Sequence, residues 1–467
     1  MKAATADKEE SLRYLKALAE AARLDPAAHD RIVGSIYSEA ERIAGAVVHR
    51  TRPKRDWDRR IDDILTSRWL GFPIMFLLLG AAFWLTITGA NYPSRLLAAV
   101  LFWGQEQLAV LLGWLGAPSW LKEIVVDGMY RSLAWVVSVM LPPMAIFFPI
   151  FTLLEDLGYL PRVAFNLDRF FRMAGTHGKQ ALTMAMGFGC NAAGVVACRI
   201  IDSPRERLIA RLTNVFVPCN GRFPTLITLA AVLAAGLGVS AYQTVFATAA
   251  VAGLVIAGIA VTLFVSWLLS RTLLRGVPSS FTLELPPYRR PQVVQILARS
   301  FIDRTLFVLA RAVTVAAPAG ALIWLLANID LNGQSIIQHM ATWLDPFARQ
   351  IGLDGFILVA FILGLPANEI VLPILCMCYL SAGSMVELDS LSAIHRLFVV
   401  EHGWTWVTAL CVMLFSLLHF PCGTTLYTIQ KENGNWKWTF LAAAIPTLTA
   451  ITVCFTVART ARILGLG

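Results

Sequence analysis

The sequence predicts an all-α protein that crosses a membrane several times. Of its 467 residues, 57% are hydrophobic and 15% are charged, whereas a soluble domain usually carries about a quarter charged residues. Several charge-free stretches are each long enough for a helical span, which needs about 20 residues, and the longest is long enough for two. The sequence therefore predicts about seven full spans. The stretches are residues 69–94, 132–154, 223–270, 312–329, 403–430 and 438–458.

The basic residues lie mainly in short loops next to the predicted spans. The net charge of +9 therefore reports membrane orientation, because cytoplasmic loops carry an excess of lysine and arginine, and it does not indicate nucleic-acid binding. This pattern places the N-terminus in the cytoplasm. The eight cysteines are scattered singly, which is not the pattern of a disulfide framework.

The chain divides into five predicted segments. In the first, apolar residues recur at helical spacing opposite charged faces, which indicates a cytoplasmic helical appendage. The second holds the first span and an interfacial segment, because Glu106 divides the apolar residues 96–121. The third and fifth are related halves, and the fourth is a basic cytoplasmic loop. The segments are residues 1–65, 66–131, 132–275, 276–304 and 305–467.

Two interrupted apolar segments look alike. "GFGCN" at residues 187–191 matches "GLPAN" at residues 364–368 in its small residues and final asparagine, and each precedes a span with a Pro-Cys pair. By the predicted topology the first copy starts outside and the second inside, which is the inverted repeat of many secondary transporters. Non-helical backbone at membrane depth is tolerated where it is buried in protein or lines a cavity. Two re-entrant, broken hairpins therefore predict a polar site inside the bundle and a polar cargo.

Sulfur and carboxylate donors lie at these interruptions. A carboxylate at membrane depth is costly unless it is paired, hydrated or bound to a cation. A single buried cysteine is typical of packing, but three at related positions favour ligands. Thiolate, imidazole and carboxylate together favour a transition metal over Ca²⁺ or Mg²⁺. The candidate metal ligands are Cys190, Cys219, Glu369 and Cys422, and candidates for additional ligands or cavity lining are Asn191, Asn368, His419 and Asn220.

Other interpretations of these residues stay open. Glu369 also fits a buried ion pair or a neutral structural carboxyl. His419 lies three residues before Cys422, so it fits a core histidine as well as a cavity that both residues face. The ligand types do not separate Fe²⁺ from Zn²⁺, Mn²⁺ or Co²⁺. The remaining cysteines favour packing; they are Cys198, Cys376, Cys378, Cys411 and Cys454.

The ordered motifs resemble the membrane domain of FeoB, a family of prokaryotic ferrous-iron transporters. They include "LLEDLGYLPRVAFNLDRFF", "GFGCNAAGVVACRIIDSPRERLIARLTNVFVPCNGRFP", "ELPPYRRP", "GLPANEIVLPI" and "FPCGTTLYTIQKENGNWKW". The resemblance implies two gate regions with a fold similar to that of concentrative nucleoside transporters. It also implies Fe²⁺ uptake across the prokaryotic cytoplasmic (inner) membrane. The residues at matching motif positions are Cys190, Cys219, Glu369 and Cys422.

The sequence departs from this family in two respects. Family members normally begin with a cytoplasmic GTPase domain, whereas this sequence contains neither the G-x-x-x-x-G-K-[ST] phosphate-binding motif nor N-K-x-D. Asn220 stands where members usually have a small residue, and His419 is unusual. We therefore expect no nucleotide site in this chain. Either a separate small GTPase docks on residues 1–65 and the inner loops, or transport proceeds without nucleotide.

The leading functional hypothesis is a permease for a divalent transition metal, most of all Fe²⁺, that works by alternating access between inverted halves. No enzymatic activity is expected from the chain alone. One alternative is a secondary transporter of an organic solute such as a nucleoside, and another is a non-transporting membrane anchor or sensor for a GTPase. The basic run at residues 49–60 indicates contact with anionic lipid headgroups or with a partner. A homo-oligomer is compatible with the sequence.

Overall fold

The computed structural model is helical almost throughout the residues that it describes. These are residues 28–47, 57–67, 69–236, 243–276, 288, 292–294, 298, 300–331, 333–386, 388 and 390–465. The predicted helix at residues 9–24, most of the basic run at 49–60 and most of the predicted turn at 236–242 lie outside these ranges. Two short strands, β1 (Asp330–Leu331) and β2 (Gln334–Ser335), pair antiparallel.

The long helix near the N-terminus differs from the prediction. We expected the first span to be followed by a separate interfacial segment, but α3 continues through Glu106 to Trp114 without a break. Glu106 is exposed on the helix surface, and a side chain that points outward leaves the backbone hydrogen bonds of the helix intact. The elements before the first half are α1 (Ala28–Val47), α2 (Trp57–Leu65), α3 (Gly71–Trp114), α4 (Ser119–Glu123) and a π-helical segment (Ile124–Tyr130).

The two predicted halves follow as two series of helices. The first series is α5 (Arg131–Asp156), α6 (Tyr159–Met173), α7 (Lys179–Gly189), α8 (Asn191–Ala197), α9 (Pro204–Thr213), α10 (Phe223–Gly236) and α11 (Gln243–Arg271). The second series is α12 (Phe307–Asn328), α13 (Ile336–Gln350), α14 (Gly355–Leu363), α15 (Val371–Tyr379), α16 (Leu391–His395), α17 (Trp406–Leu418), α18 (Gly423–Asn433) and α19 (Trp436–Ile463). Short 3-10 turns at Cys198–Ile200, Asn214–Phe216 and Asn368–Ile370 and π-helical segments at Ser300–Leu306 and Arg396–Glu401 join some of them.

Several helices are long and apolar enough to cross a membrane. Within the described residues, 5 helical stretches meet this description, and α13 with α14, bent by 110°, would make a sixth. The apolar parts of α10 and α12 are shorter, so the predicted number of about seven spans stays a prediction. The 5 stretches are Gly71–Trp114, Ser119–Asp156, Phe246–Arg271, Trp406–Asn433 and Trp436–Ile463.

The first helices of the two halves, α5 and α12, run in opposite directions. Ser300, just before α12, donates a hydrogen bond of 3.0 Å to Thr152 near the end of α5. At the other end, Arg131 begins α5 and donates to Ser384 at 3.2 Å, while Asn328 ends α12 and donates to the adjacent Gly383 carbonyl at 2.6 Å. The start of α5 therefore lies beside the end of α12.

The entries to α7 and α14 share the same local structure. Asp168 on α6 accepts a hydrogen bond of 2.8 Å from the Gly178 amide, and Asp345 on α13 accepts one of 3.1 Å from the Gly355 amide, each across 10 residues. In both places the arginine one helical turn after the aspartate pairs with it at 2.6 Å. A glycine with φ of 75° lies three residues before each amide donor. The two halves therefore match in hydrogen bonding as well as in sequence.

Three segments that are distant in sequence meet at Asp62 on α2. Arg162 of α6 donates from Nε to Asp62 at 2.9 Å, and the Tyr288 hydroxyl donates to the same carboxylate oxygen at 2.7 Å. Burial would raise the pKa of Asp62, but the hydrogen bonds from Arg162 and Tyr288 outweigh it and lower the pKa. This contact, the Asp62 clasp, joins the end of the N-terminal appendage and the basic loop to the first half.

Candidate metal site between two broken hairpins

Helices α7 and α8 form the first hairpin, whose tip is Cys190. The backbone of Cys190 is extended, with φ −153° and ψ 126°, and separates the two helices. The Asn214 side chain lies against Gly187 on one limb and Gly194 on the other, where a Cβ atom would collide with it. Its amide donates to the Asn191 carbonyl at 3.2 Å. Gly187 and Gly194 therefore leave room for the Asn214 side chain, which contacts both limbs of the hairpin.

The second hairpin is formed by α14, the 3-10 turn Asn368–Ile370 and α15. Its tip is Ala367, whose φ of −153° and ψ of 128° are nearly the same as those of Cys190. At the base, Asp354 caps α14 by accepting from the Ile357 amide at 2.8 Å and also accepts a hydrogen bond from Tyr379 at the end of α15. Both apolar segments are thus interrupted at the positions that the sequence predicted.

A Pro-Cys segment docks on each hairpin tip. The residue after Cys219, Asn220, donates its amide hydrogen to the Gly189 carbonyl at 3.3 Å. The residue after Cys422, Gly423, donates to the Leu365 carbonyl at 2.6 Å. The carbonyl groups at the ends of interrupted helices lack intrahelical donors, and these amides satisfy one in each half.

The two hairpins and the two Pro-Cys segments enclose one small cavity. Its volume of about 20 Å³ is close to the space that one water molecule occupies. The side chains of Cys190, Cys219 and Glu369 are at least 90% buried, and Cys422 is half-buried. Asn368 of the second half approaches the Cys219 sulfur of the first half at 3.9 Å. The predicted donors that line the cavity are Cys190, Asn191, Cys219, Asn220, Asn368, Glu369 and Cys422.

The carboxyl group of Glu369 rests against the backbone of Gly221. A Cβ atom at Gly221 would overlap Oε1 of Glu369, so only glycine leaves the carboxyl group in this position. Gly221 belongs to the first half and Glu369 to the second, and both line the cavity. The contact places an oxygen donor of one half directly against the Pro-Cys segment of the other.

A buried arginine joins the interrupted helices behind the cavity. Arg222 is 1% exposed and donates from Nη1 to the carbonyls of Val215 and Leu417, at 3.0 and 2.8 Å, and from Nη2 to those of His419 and Phe420, at 3.3 and 3.2 Å. Hydrogen bonds from a charged donor are stronger than neutral ones. The guanidinium therefore stabilises carbonyl groups from both halves.

His419 does not line the cavity, contrary to one of the two interpretations of the sequence. Its ring packs on Phe361, at 4.8 Å between ring centroids, and on Phe420, and its Nδ1 lies 3.0 Å from the Phe415 carbonyl. The prediction assumed that His419 and Cys422 lie one helical turn apart. Helix α17 instead ends before His419, which has an extended backbone with ψ of 176°, so the two side chains do not share a helix face.

The donors around the cavity are not drawn together into a coordination sphere. Within the described ranges, no group of three or more His, Cys, Asp and Glu side chains is close enough to hold a metal ion.

Asn191 contacts the backbone beside the cavity. In the amide orientation that satisfies its neighbours, its side-chain nitrogen donates to the carbonyls of Val217 and Gly187 at 3.2 Å each. The cysteines expected to serve in packing are all buried; they are Cys198, Cys376, Cys378, Cys411 and Cys454.

Three residues at this site were not predicted from the sequence. Arg222 stands directly before the charge-free residues 223–270, and a charge at such a position is a signal of an intramembrane function. Met140 and Met144 line the cavity from α5, but methionine in an apolar helix carries no signal that separates a ligand from packing.

Two family models match the chain. The model "Gate: Nucleoside recognition" matches residues 137–233 and 309–436, which contain both hairpins and both Pro-Cys segments. The model "Ferrous iron transport protein B C terminus" matches residues 251–303. Together with the helical architecture, these matches define a polytopic membrane protein with gate regions. No solved structure matches the chain.

The curated relatives extend this match over most of the chain. The Fe(2+) transporter FeoB of Staphylococcus aureus (strain COL) is 28% identical over 440 residues, which cover 90% of this chain and 63% of the relative. The Fe(2+) transporter FeoB of Methanocaldococcus jannaschii is 27% identical over 440 residues, which cover 91% of this chain and 62% of the relative. The chain thus spans less than two thirds of these relatives. Over most of its own length, the chain is similar to these FeoB transporters.

Proposed function

We propose that the protein transports a divalent transition metal, most of all Fe²⁺, across the prokaryotic cytoplasmic membrane. The observation that carries this proposal is the single cavity that three cysteines and one glutamate from both halves line. Mixed sulfur and oxygen donors suit a borderline metal better than Ca²⁺ or Mg²⁺. The relatives from Staphylococcus aureus and Methanocaldococcus jannaschii are named Fe(2+) transporters, which supports iron as the cargo.

Each donor has a distinct part in this proposal. Cys190, Cys219 and Cys422 supply sulfur, and Glu369 supplies negative charge that compensates the cation. Asn368 supplies an amide oxygen, while Asn191 orients the tip of the first hairpin. The cavity of about 20 Å³ has room for a cation with little of its hydration shell. Since the donors are still separate, binding draws the two hairpins and the Pro-Cys segments together.

Alternating access follows from the inverted relation of the two halves. The antiparallel course of α5 and α12 and the matched hairpin tips support an inverted repeat, as in secondary transporters. Arg199 and Arg211 of the first half both pair with Glu432 of the second, at 2.5 and 2.9 Å. We assign the side of the protein that holds these ion pairs to the cytoplasm because basic loops favour that side. The N-terminus is then cytoplasmic as well.

The cavity size argues against an organic cargo. Sites for small organic molecules usually measure about 300–1,000 Å³, whereas this cavity measures about 20 Å³. A nucleoside would need far more space than a dehydrated metal ion. The cysteines also have no evident use in a nucleoside site.

We also propose that a separate GTPase regulates the transporter from the cytoplasm by docking on residues 1–65. The Asp62 clasp supports this proposal because it connects the end of that segment to α6, which leads into the first hairpin through Gly178. The relative from Porphyromonas gingivalis is named a fusion of Fe(2+) transport protein A and FeoB, so related membrane regions occur joined to further components.

Uptake of radioactive ⁵⁵Fe²⁺ into proteoliposomes under reducing conditions tests the metal proposal. The parent protein should take up Fe²⁺, and Glu369→Gln and Cys190→Ser should each lower the rate by about tenfold or more, as expected for loss of a metal donor. Cys454→Ser is the matched control, because Cys454 is buried in α19 away from the cavity, and it should transport normally. Unchanged Fe²⁺ flux in both cavity variants would exclude the proposed site.

A further inference from the structure

Helix α5 also lines the cavity, beside the two hairpins and the two Pro-Cys segments. Met140 and Met144 both line it, and they lie one helical turn apart, so they share a face of the helix. Met144 is 2% exposed. Helix α5 also packs against the 3-10 turn Asn368–Ile370 that carries Glu369. Two methionines therefore line the same cavity as the three cysteines and Glu369.

Between these methionines, α5 contains a pair of prolines, which are unusual in the interior of a helix. Pro142 and Pro143 lie inside the helix, and proline has no amide hydrogen to donate to the carbonyl four residues earlier. The carbonyls of Ser138 and Val139, in the turn that carries Met140, thus lose their helical donors. These two carbonyls therefore lie in the helical turn next to a methionine that lines the cavity.

Thioethers change the charge balance of a metal site in a way that thiols do not. A thiol must lose a proton to become a strong ligand, whereas a thioether is a soft, neutral donor. The cavity already contains a carboxylate and three thiols, with one buried guanidinium, Arg222, behind it. Further anionic donors would add negative charge and so strengthen the attraction of the site for a divalent ion. Methionine sulfur adds preference for soft and borderline metals without adding negative charge.

We propose that Met140 and Met144 are ligands of the transported cation and select borderline metals such as Fe²⁺ over harder ions such as Mn²⁺. This inference rests on the proposed function, since it assigns further donors to the same site. The bound cation then has sulfur ligands from three parts of the fold. These are Cys190 on the first hairpin, the cysteines of the two Pro-Cys segments, and the methionine pair on α5.

Selenium X-ray absorption gives a direct test, because selenomethionine replaces the sulfur of every methionine with a distinct scatterer. The full chain is labelled, loaded with Fe²⁺ alone and measured at the selenium edge. We expect an iron neighbour of selenium in the parent and in Met413→Leu, whose methionine is buried in α17 away from the cavity. The signal should disappear in the double variant Met140→Leu, Met144→Leu, in which leucine keeps the side-chain volume.

Competition between metals tests the functional part of the proposal. In proteoliposomes, the ratio of Fe²⁺ uptake to Mn²⁺ uptake should fall by about tenfold in the double variant and stay unchanged in Met413→Leu. A packing defect would lower both rates together and leave their ratio intact. If the parent binds Fe²⁺ without an iron neighbour of selenium, or if the ratio does not change, the methionines are not ligands. If the parent binds no Fe²⁺, the proposed function itself is wrong.

Discussion

The two hairpins have nearly the same backbone at their tips but different chemistry and different surroundings. The tip residues Cys190 and Ala367 differ by 2° in ψ at the same φ. The second hairpin nevertheless has alanine where the first has a thiol. Its charged donor, Glu369, comes two residues later. Two identical hairpins would present the same side chains to the cavity, whereas here the first hairpin contributes Cys190 and the second contributes Glu369.

The packing behind the two hairpins also differs. An apolar cavity of about 330 Å³ lies beside α7, between that helix and α3, α5, α6 and α11. On the second hairpin, α14 belongs to the large hydrophobic cluster with α17 and α19, and Phe361 packs on Phe415 at 4.9 Å. Close-packed interiors resist displacement. We therefore expect the first hairpin to move during transport while the second holds Glu369 in place.

The largest effect is expected from Gly221→Ala, which tests whether the carboxylate is held in one position. The added methyl group would overlap the Glu369 carboxyl group and displace it, and a shift of about 1 Å at a reacting group can cost about a hundredfold in rate. Fe²⁺ uptake should fall by about that factor while thermal stability changes little, because a flexible carboxyl end can turn away. Gly253→Ala is the control, as nothing lies within 4 Å of the added atom. Parent-like uptake by Gly221→Ala would mean that the carboxyl position does not matter.

A smaller effect is expected when the apolar cavity beside α7 is filled. Leu79 of α3 lines this cavity, so Leu79→Trp should obstruct the first hairpin and slow turnover by about tenfold, the equivalent of about 1.4 kcal/mol. The half-saturating Fe²⁺ concentration should not change. Leu77→Trp on the same helix is the control, since Leu77 is 70% exposed. If Leu79→Trp turns over as fast as the control, the first hairpin does not move into this space.

The smallest effect is expected at the matched entries to the hairpins. Asp168→Ala and Asp345→Ala each remove the acceptor of a helix-entry amide, which should cost about 1 kcal/mol. Thermal unfolding in detergent should show two similar, small shifts in Tm. Glu106→Ala, on the exposed surface of α3, should show none. A large loss in only one aspartate variant would show that these matched contacts do not contribute equally.

The interruptions of the helices were predictable because their cause is local. Glycine and proline weaken helices wherever they stand, so "GFGCN" and "GLPAN" marked both breaks. The cysteines and Glu369 became candidate ligands for the same reason, because they lie at these breaks or in the Pro-Cys segments that follow them. The matched motifs also indicated that the two halves would face each other across one cavity.

The features that the sequence did not predict depend on distant parts of the chain. Arg222 donates to carbonyls near residue 420, which no local pattern indicates. The position of His419 was open because a spacing of three residues has meaning only if the helix continues, and α17 ends before it. Met140 becomes a candidate ligand only when α5 is placed beside the hairpins.

X-ray absorption at the iron edge of the Fe²⁺-loaded protein tests most directly whether donors from both halves meet at one ion. We predict sulfur together with oxygen around the iron. The number of sulfur neighbours should decrease in Cys190→Ser, which changes the first half, and equally in Cys422→Ser, which changes the second. An iron environment of oxygen and nitrogen alone, or one that neither variant alters, would contradict the shared site.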